Sequence, residues 1–306
     1  MKGLKGIQYL SVIALALLFT VCCGSGTKNK QEDQASQTSS DPNVYTFEKF
    51  LEDAKNIDLG TTSISAIHQY FLLAKVDYFQ EICNPPENAS RYLNSLPFAA
   101  ANLGVYFTDL IYHTYGRATE NTVNTTNAII ELSDYLGLEN DMYENIISRY
   151  EDKVVPFDST LIYWNVLMKD SDKYSSEEEK IFVKSALLLG NNIEKIYLVS
   201  TLVQTPIRAE ISADEATLAK KELTYFLMNL ETRVGALLDM FEAQKTQLQT
   251  LFLLEELTKL KYAATAVAEK GDAILSLDAP GIMKNPELDA LHKQVSVIRE
   301  AIILGE

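Results

Sequence analysis

From Thr46 to Leu304 the apolar residues recur every three or four positions, and nowhere in that span do they alternate cleanly one by one. That period lines one face of a helix, whereas a half-buried strand needs a period of two. No Asn-Gly or Asp-Gly hairpin turn interrupts it. Thr46 is placed to cap a first helix, and "SAIHQYFLLAKVDYFQEI" predicts a second that runs to Ile82, ahead of Pro85 and Pro86. Ser95 to Gly116 and Glu120 to Gly137 each end on a glycine suited to a left-handed cap. "NDMYENIISRYEDKVV" stops at Pro156, and Asp158 can cap "STLIYWNVLMKD". Ser175 and Glu178 have capping-box spacing before a helix that stops ahead of Pro206. Residues 212–275 contain no proline and predict two or three long helices; Asn285 and Pro286 open another. The expectation is an all-α, multi-helix bundle of about ten helices.

Two of these helices look alike. "AANLGVYFTDLIY" and "ALLLGNNIEKIYL" both set Leu-Gly ahead of an apolar stretch, and placing Gly104 on Gly190 puts Phe107 on Ile193 and Leu110 on Ile196. A glycine inside a helix costs about 1 kcal/mol relative to alanine, so it stays where a neighbouring backbone comes close. The pattern predicts two pseudo-repeated helix pairs crossing near Gly104 and Gly190. Two unrelated amphipathic helices that happen to be similar are the alternative.

The ends of the chain bear on location. Lys2 and Lys5 precede an apolar run from Ile7 to Val21, with no acid before the cysteines. At about 1.5 Å per residue that run is short for a bilayer core of roughly 30 Å. Cys22 and Cys23 sit where an export signal is cut, an arrangement that resembles a bacterial lipoprotein signal, in which a cysteine is acylated and becomes the mature N-terminus. Cys22 follows the branched Val21, while Cys23 follows the smaller Cys22, so Cys23 is the better acylation site and Cys22 the alternative. Residues 1–22 therefore read as a lipoprotein signal peptide, residues 23–42 as a polar tether too poor in apolar groups to order itself, and 43–306 as one all-helical domain. An ordinary secretory signal with incidental cysteines is the competing reading. With a net charge of −15, nucleic acid is excluded as a partner.

Chemistry is sparse. His68, His113 and His292 fall on three separate helices, with no metal-binding spacing, phosphate loop or nucleophile elbow, so neither a metal nor a cofactor is expected. Cys83 reads as a buried, inert thiol. The most suggestive stripe is Asn102, Tyr106, Asp109 and His113, whose spacing places all four on one helix face and lets Asp109 reach His113 at i+4. A carboxylate that orients an imidazole is a catalytic sub-assembly and equally a common structural pair. Placing Gly104 on Gly190 also sets Asp109 on Lys195, which suggests a central ion pair, with Glu194 a further buried polar contact or binding residue. The sixteen tyrosines and twelve phenylalanines are core residues first and groove linings second. Asp158-Ser159-Thr160 matches a short O-glycosylation pattern that a helix cap explains as well.

"NLGVYFTDLIY", "LGNNIEKIYL" and the lipoprotein-type signal together resemble a family of all-helical envelope lipoproteins of Bacteroidetes-type Gram-negative bacteria, over roughly residues 60 to 260. The resemblance implies a helical lipoprotein and supplies no catalytic residue. The chain is thus expected to be lipid-anchored in the cell envelope, at the outer membrane, as a non-enzymatic module that binds an envelope protein or a small ligand. An enzyme working through Asp109 and His113, or a purely structural envelope component, are the alternatives.

Overall fold

The computed structural model describes residues 45–58, 64–138, 171–244 and 250–305. The signal segment, Cys22, Cys23, the tether, the stretches 140–155 and 159–170, the triplet Asp158-Ser159-Thr160 and the side chain of His68 lie outside the described residues. Within them the chain forms ten α-helices and two 3-10 segments, and no strand. In chain order the helices are α1 Phe47–Asp58, α2 Ile64–Leu73, α3 Leu96–Gly116, α4 Thr119–Tyr135, α5 Glu177–Gln204, α6 Ala213–Met228, α7 Leu230–Glu242, α8 Thr250–Leu275, α9 Ala279–Met283 and α10 Pro286–Leu304. The 3-10 segments are Gln80–Ile82 and Pro86–Tyr92. None of the described helices is long and apolar enough to cross a membrane.

Local chemistry explains most of the helix ends. Thr46 Oγ1 accepts the Lys49 N–H at 3.3 Å, and Asn285 Oδ1 accepts that of Leu288 at 3.0 Å, with Pro286 at the first helical position. Gly137 takes the left-handed conformation that closes α4. Three expectations shift. The cap of α5 is Ser176, whose hydroxyl accepts the Glu179 N–H, while Glu179 reaches back to Ser175. Gly116 stays helical, with the ring of Tyr78 packed where a side chain would sit, and Arg117 adopts the left-handed cap instead. The second helix ends at Leu73, not Ile82. Lys75 takes a positive φ of 54° and the chain continues as an irregular strap, extended at Phe79 and Cys83 on either side of the 3-10 segment Gln80–Ile82.

The core is one continuous cluster spanning Phe50 to Ile302. At its centre α3 is buried without a break from Ala99 to His113, and α5 from Ile181 to Ile196. A helix covered on every side has no solvent face for its polar residues, so each one needs a partner inside the protein. The two helices cross at the predicted glycines. A Cβ on Gly104 would overlap the carbonyl of Leu187, and one on Gly190 would overlap that of Ala101. Beside the crossing, Asn191 Nδ2 donates to Thr108 Oγ1 at 3.0 Å. Farther along, the buried Lys220 of α6 donates to the Leu202 carbonyl at 2.6 Å and to that of Thr205, capping the C-terminal end of α5.

Candidate functional site

Asn102, Tyr106, Asp109 and His113 are all buried, and all four face the strap between α2 and α3. An extended segment with no neighbouring strand must find partners for its peptide groups elsewhere. Here the side chains of α3 supply them. Tyr115 donates to Val76 O at 3.1 Å, Tyr112 accepts from Phe79 N at 3.1 Å, Asp109 Oδ2 accepts from Asn84 N at 3.0 Å, and Tyr106 donates to Pro85 O at 2.9 Å. Asn84, itself fully buried, donates through Nδ2 to Asn102 Oδ1 at 3.1 Å and to Tyr92 OH at 3.2 Å. Asn102 and Tyr92 donate in turn to the carbonyls of Ile302 and Ile303, both at 2.8 Å. The polar stripe is therefore a track that fastens the strap on one side and the last turn of α10 on the other.

The expected Asp109–His113 pair does not form. His113 Nδ1 lies 2.7 Å from Tyr78 OH, which also accepts from Asn121 Nδ2. The other ring nitrogen, Nε2, is buried without a hydrogen-bond partner. Burial alone pushes the His113 pKa down to about 4, so the ring is neutral.

Asp109 is held by other groups. Across the crossing it feels the charge of Glu194, and Glu194 is bound through both oxygens by Arg299, at 2.6 and 3.0 Å. Arg299 also donates to Ile82 O at 2.9 Å and stacks 4.0 Å from the Tyr197 ring centroid. Two carboxyls thus share one guanidinium in a sealed interior. Burial, and then the charge of Glu194, hold the Asp109 carboxyl well above the usual range, only partly offset by Arg299 and the Asn84 N–H. The shift favours the protonated form of Asp109, whose Oδ2 accepts from Asn84 while its Oδ1 is buried without a hydrogen-bond partner. The cation acting on it comes from α10, a helix to which the match with Lys195 did not point. Arg299, Asn84, Tyr92 and Tyr78 were missed in the sequence. Only Arg299 left a signal, since it falls in phase with Leu288, Leu291, Val295 and Ile302 on the buried face of α10.

Cys83 completes the cluster, its Sγ 4.0 Å from His113 Nδ1. Burial, followed by the charges of Asp109 and Glu194, raises the thiol well above its usual range. A raised thiol beside a lowered imidazole is the reverse of a thiolate–imidazolium nucleophile. Among the described residues no group of three or more His, Cys, Asp or Glu side chains is arranged to hold a metal ion.

The open site lies elsewhere. A groove of about 740 Å³ forms where Pro97, Phe98 and Ala101 of α3 face Ala186 and Leu189 of α5 and Val297, Ala301 and Leu304 of α10, with Phe241 and Phe252 at its sides. Among the described residues Glu300 is the one charged side chain that lines it. A second cleft of about 920 Å³ between α1, α7 and α8 is polar, and there Asp53 pairs with Lys49 at 3.0 Å and accepts from Tyr45 at 2.8 Å.

Fold and sites together define an all-α bundle with a sealed polar centre and an open apolar groove. In comparison with known proteins, the chain matches no family profile, no curated protein and no solved structure.

Proposed function

We propose that this chain is a lipid-anchored protein of the outer membrane, attached through Cys23 with Cys22 as the alternative, whose helical domain is a non-enzymatic binding module. The observation that carries the binding role is the groove: it is concave, apolar and of a size that suits small ligands, roughly 300–1,000 Å³. Its α10 wall is held in advance by Arg299 on Glu194 and by the bonds from Asn102 and Tyr92. Against an enzyme stands the fate of Asp109 and His113, buried and committed to the strap and to α5. The acidic charge argues against nucleic acid.

Two measurements test this reading. Mass spectrometry of the mature N-terminus should find an acylated Cys23, and Cys23→Ser should release the protein from the membrane fraction; an unmodified N-terminus beyond Gly24 defeats the anchor. Lipid extracts of the purified protein should contain a bound apolar molecule that Val297→Trp, at the groove's rim, expels.

A further inference from the structure

We infer that the groove takes a single-chain lipophile with an uncharged or cationic head, its tail between α3, α5 and α10 and its head beside Glu300. The inference rests on the groove being the binding site and names the class of ligand. The shape favours a small molecule over a protein. A stable protein interface covers about 800 Å² on each partner. Among the described residues, the large exposed apolar side chains at this rim are Phe252, Val297 and Leu304, too few for a docking helix or a second copy. The depth of the groove comes from small residues, since Ala101, Ala186 and Ala301 leave room between Phe182, Leu189 and Ile298. The walls offer a chain of methylenes apolar contact along its length and no polar side chain to satisfy along the way. Polarity enters at one place, the Glu300 carboxylate. A fatty-acid carboxylate seated there meets a like charge, whereas an amine, a quaternary ammonium or a hydroxyl does not.

The test uses the full-length protein in lipid nanodiscs with three photoreactive probes of equal chain length: a hexadecylamine, a hexadecanol and a hexadecanoic acid, each with a diazirine near the end of the chain. Labelled peptides are mapped by mass spectrometry. The amine and the alcohol should label the segments carrying Leu189 and Ile298. The acid should label them less, by about two- to fivefold at low salt, as befits one partly exposed charge. Glu300→Gln should remove that difference, and Ala301→Trp should abolish labelling by all three. Val297→Trp, on the exposed rim, gives the same block without touching the core. If the acid labels as well as the amine while either tryptophan still blocks, the assignment of the head group fails and the binding site stands. If no probe labels these segments, or neither tryptophan changes the labelling, the groove is not a binding site and the inference falls with it.

Discussion

Gly104 and Gly190 each lie against the carbonyl of the residue three positions before the other, Leu187 for Gly104 and Ala101 for Gly190. The crossing of α3 and α5 thus has a local two-fold character, with the same backbone contact made twice. Replacing either glycine by alanine gains about 1 kcal/mol of helix propensity but drives a methyl into a peptide group that has no room to yield. Either variant should lose stability, net by about 1–3 kcal/mol, as read by urea unfolding. A stabilised Gly104→Ala contradicts the crossing.

Asp109 and Glu194 make a second prediction, on pH. The folded chain keeps a proton on Asp109 that the unfolded chain releases above its ordinary value of 3.8. Stability from this group is therefore full below that value and declines as pH rises toward the folded pKa. Asparagine mimics the protonated carboxyl, since it can still accept from Asn84 N and places no charge beside Glu194. Asp109→Asn should flatten the alkaline decline and be at least as stable as the parent at pH 8. Asp109→Ala, which strands the Asn84 N–H, should lose about 1–3 kcal/mol. Equal losses in both variants are the outcome that refutes the raised Asp109 carboxyl.

His113 acts with the opposite sign. Its pKa falls from 6.5 to about 4 on folding, so between these values the unfolded chain binds a proton that the folded chain refuses. Stability is present above pH 6.5 and is lost on acidification through that window, with a limiting slope of about 1.4 kcal/mol per pH unit. His113→Gln, whose side-chain amide can still hydrogen-bond to Tyr78, should remove that slope. Thermal melts at pH 7 and pH 4.5 decide the matter, and an unchanged difference between them counts against it.

Arg299 secures Glu194, the strap and the Tyr197 ring at once. Arg299→Met leaves a buried carboxylate unpaired and should cost about 3–5 kcal/mol. Adding Glu194→Gln should restore part of that loss, because the uncompensated charge goes with it. A double variant no better than Arg299→Met alone places the cost in packing rather than charge.

The fold was legible because helix periodicity and punctuation are local properties. Thr46, Asn285 with Pro286, and Gly137 marked their boundaries correctly. The crossing was legible for a related reason, since a glycine in mid-helix has few other uses. The strap was not. "VDYFQEI" carries helical spacing, but its first residues are held out of a helix by bonds between Tyr115 and Val76 and between Tyr112 and Phe79, and Gln80–Ile82 form only a 3-10 turn; the partners lie on a helix that follows. The polar stripe was found, but its role was misread, because i+4 proximity shows that Asp109 and His113 share a face and not what occupies it. Arg299 lies 105 residues from Glu194, beyond any local pattern.

That separation also orders events as the chain is made. Glu194 is synthesised 105 residues before its guanidinium, and Ile82 precedes the same side chain by 217 residues. Until α10 arrives, α3 and α5 cannot close without burying a carboxylate that has no counter-charge, a cost of several kcal/mol. The central crossing is in effect on a timer, held open while the chain is being made and locked by a cation that emerges late.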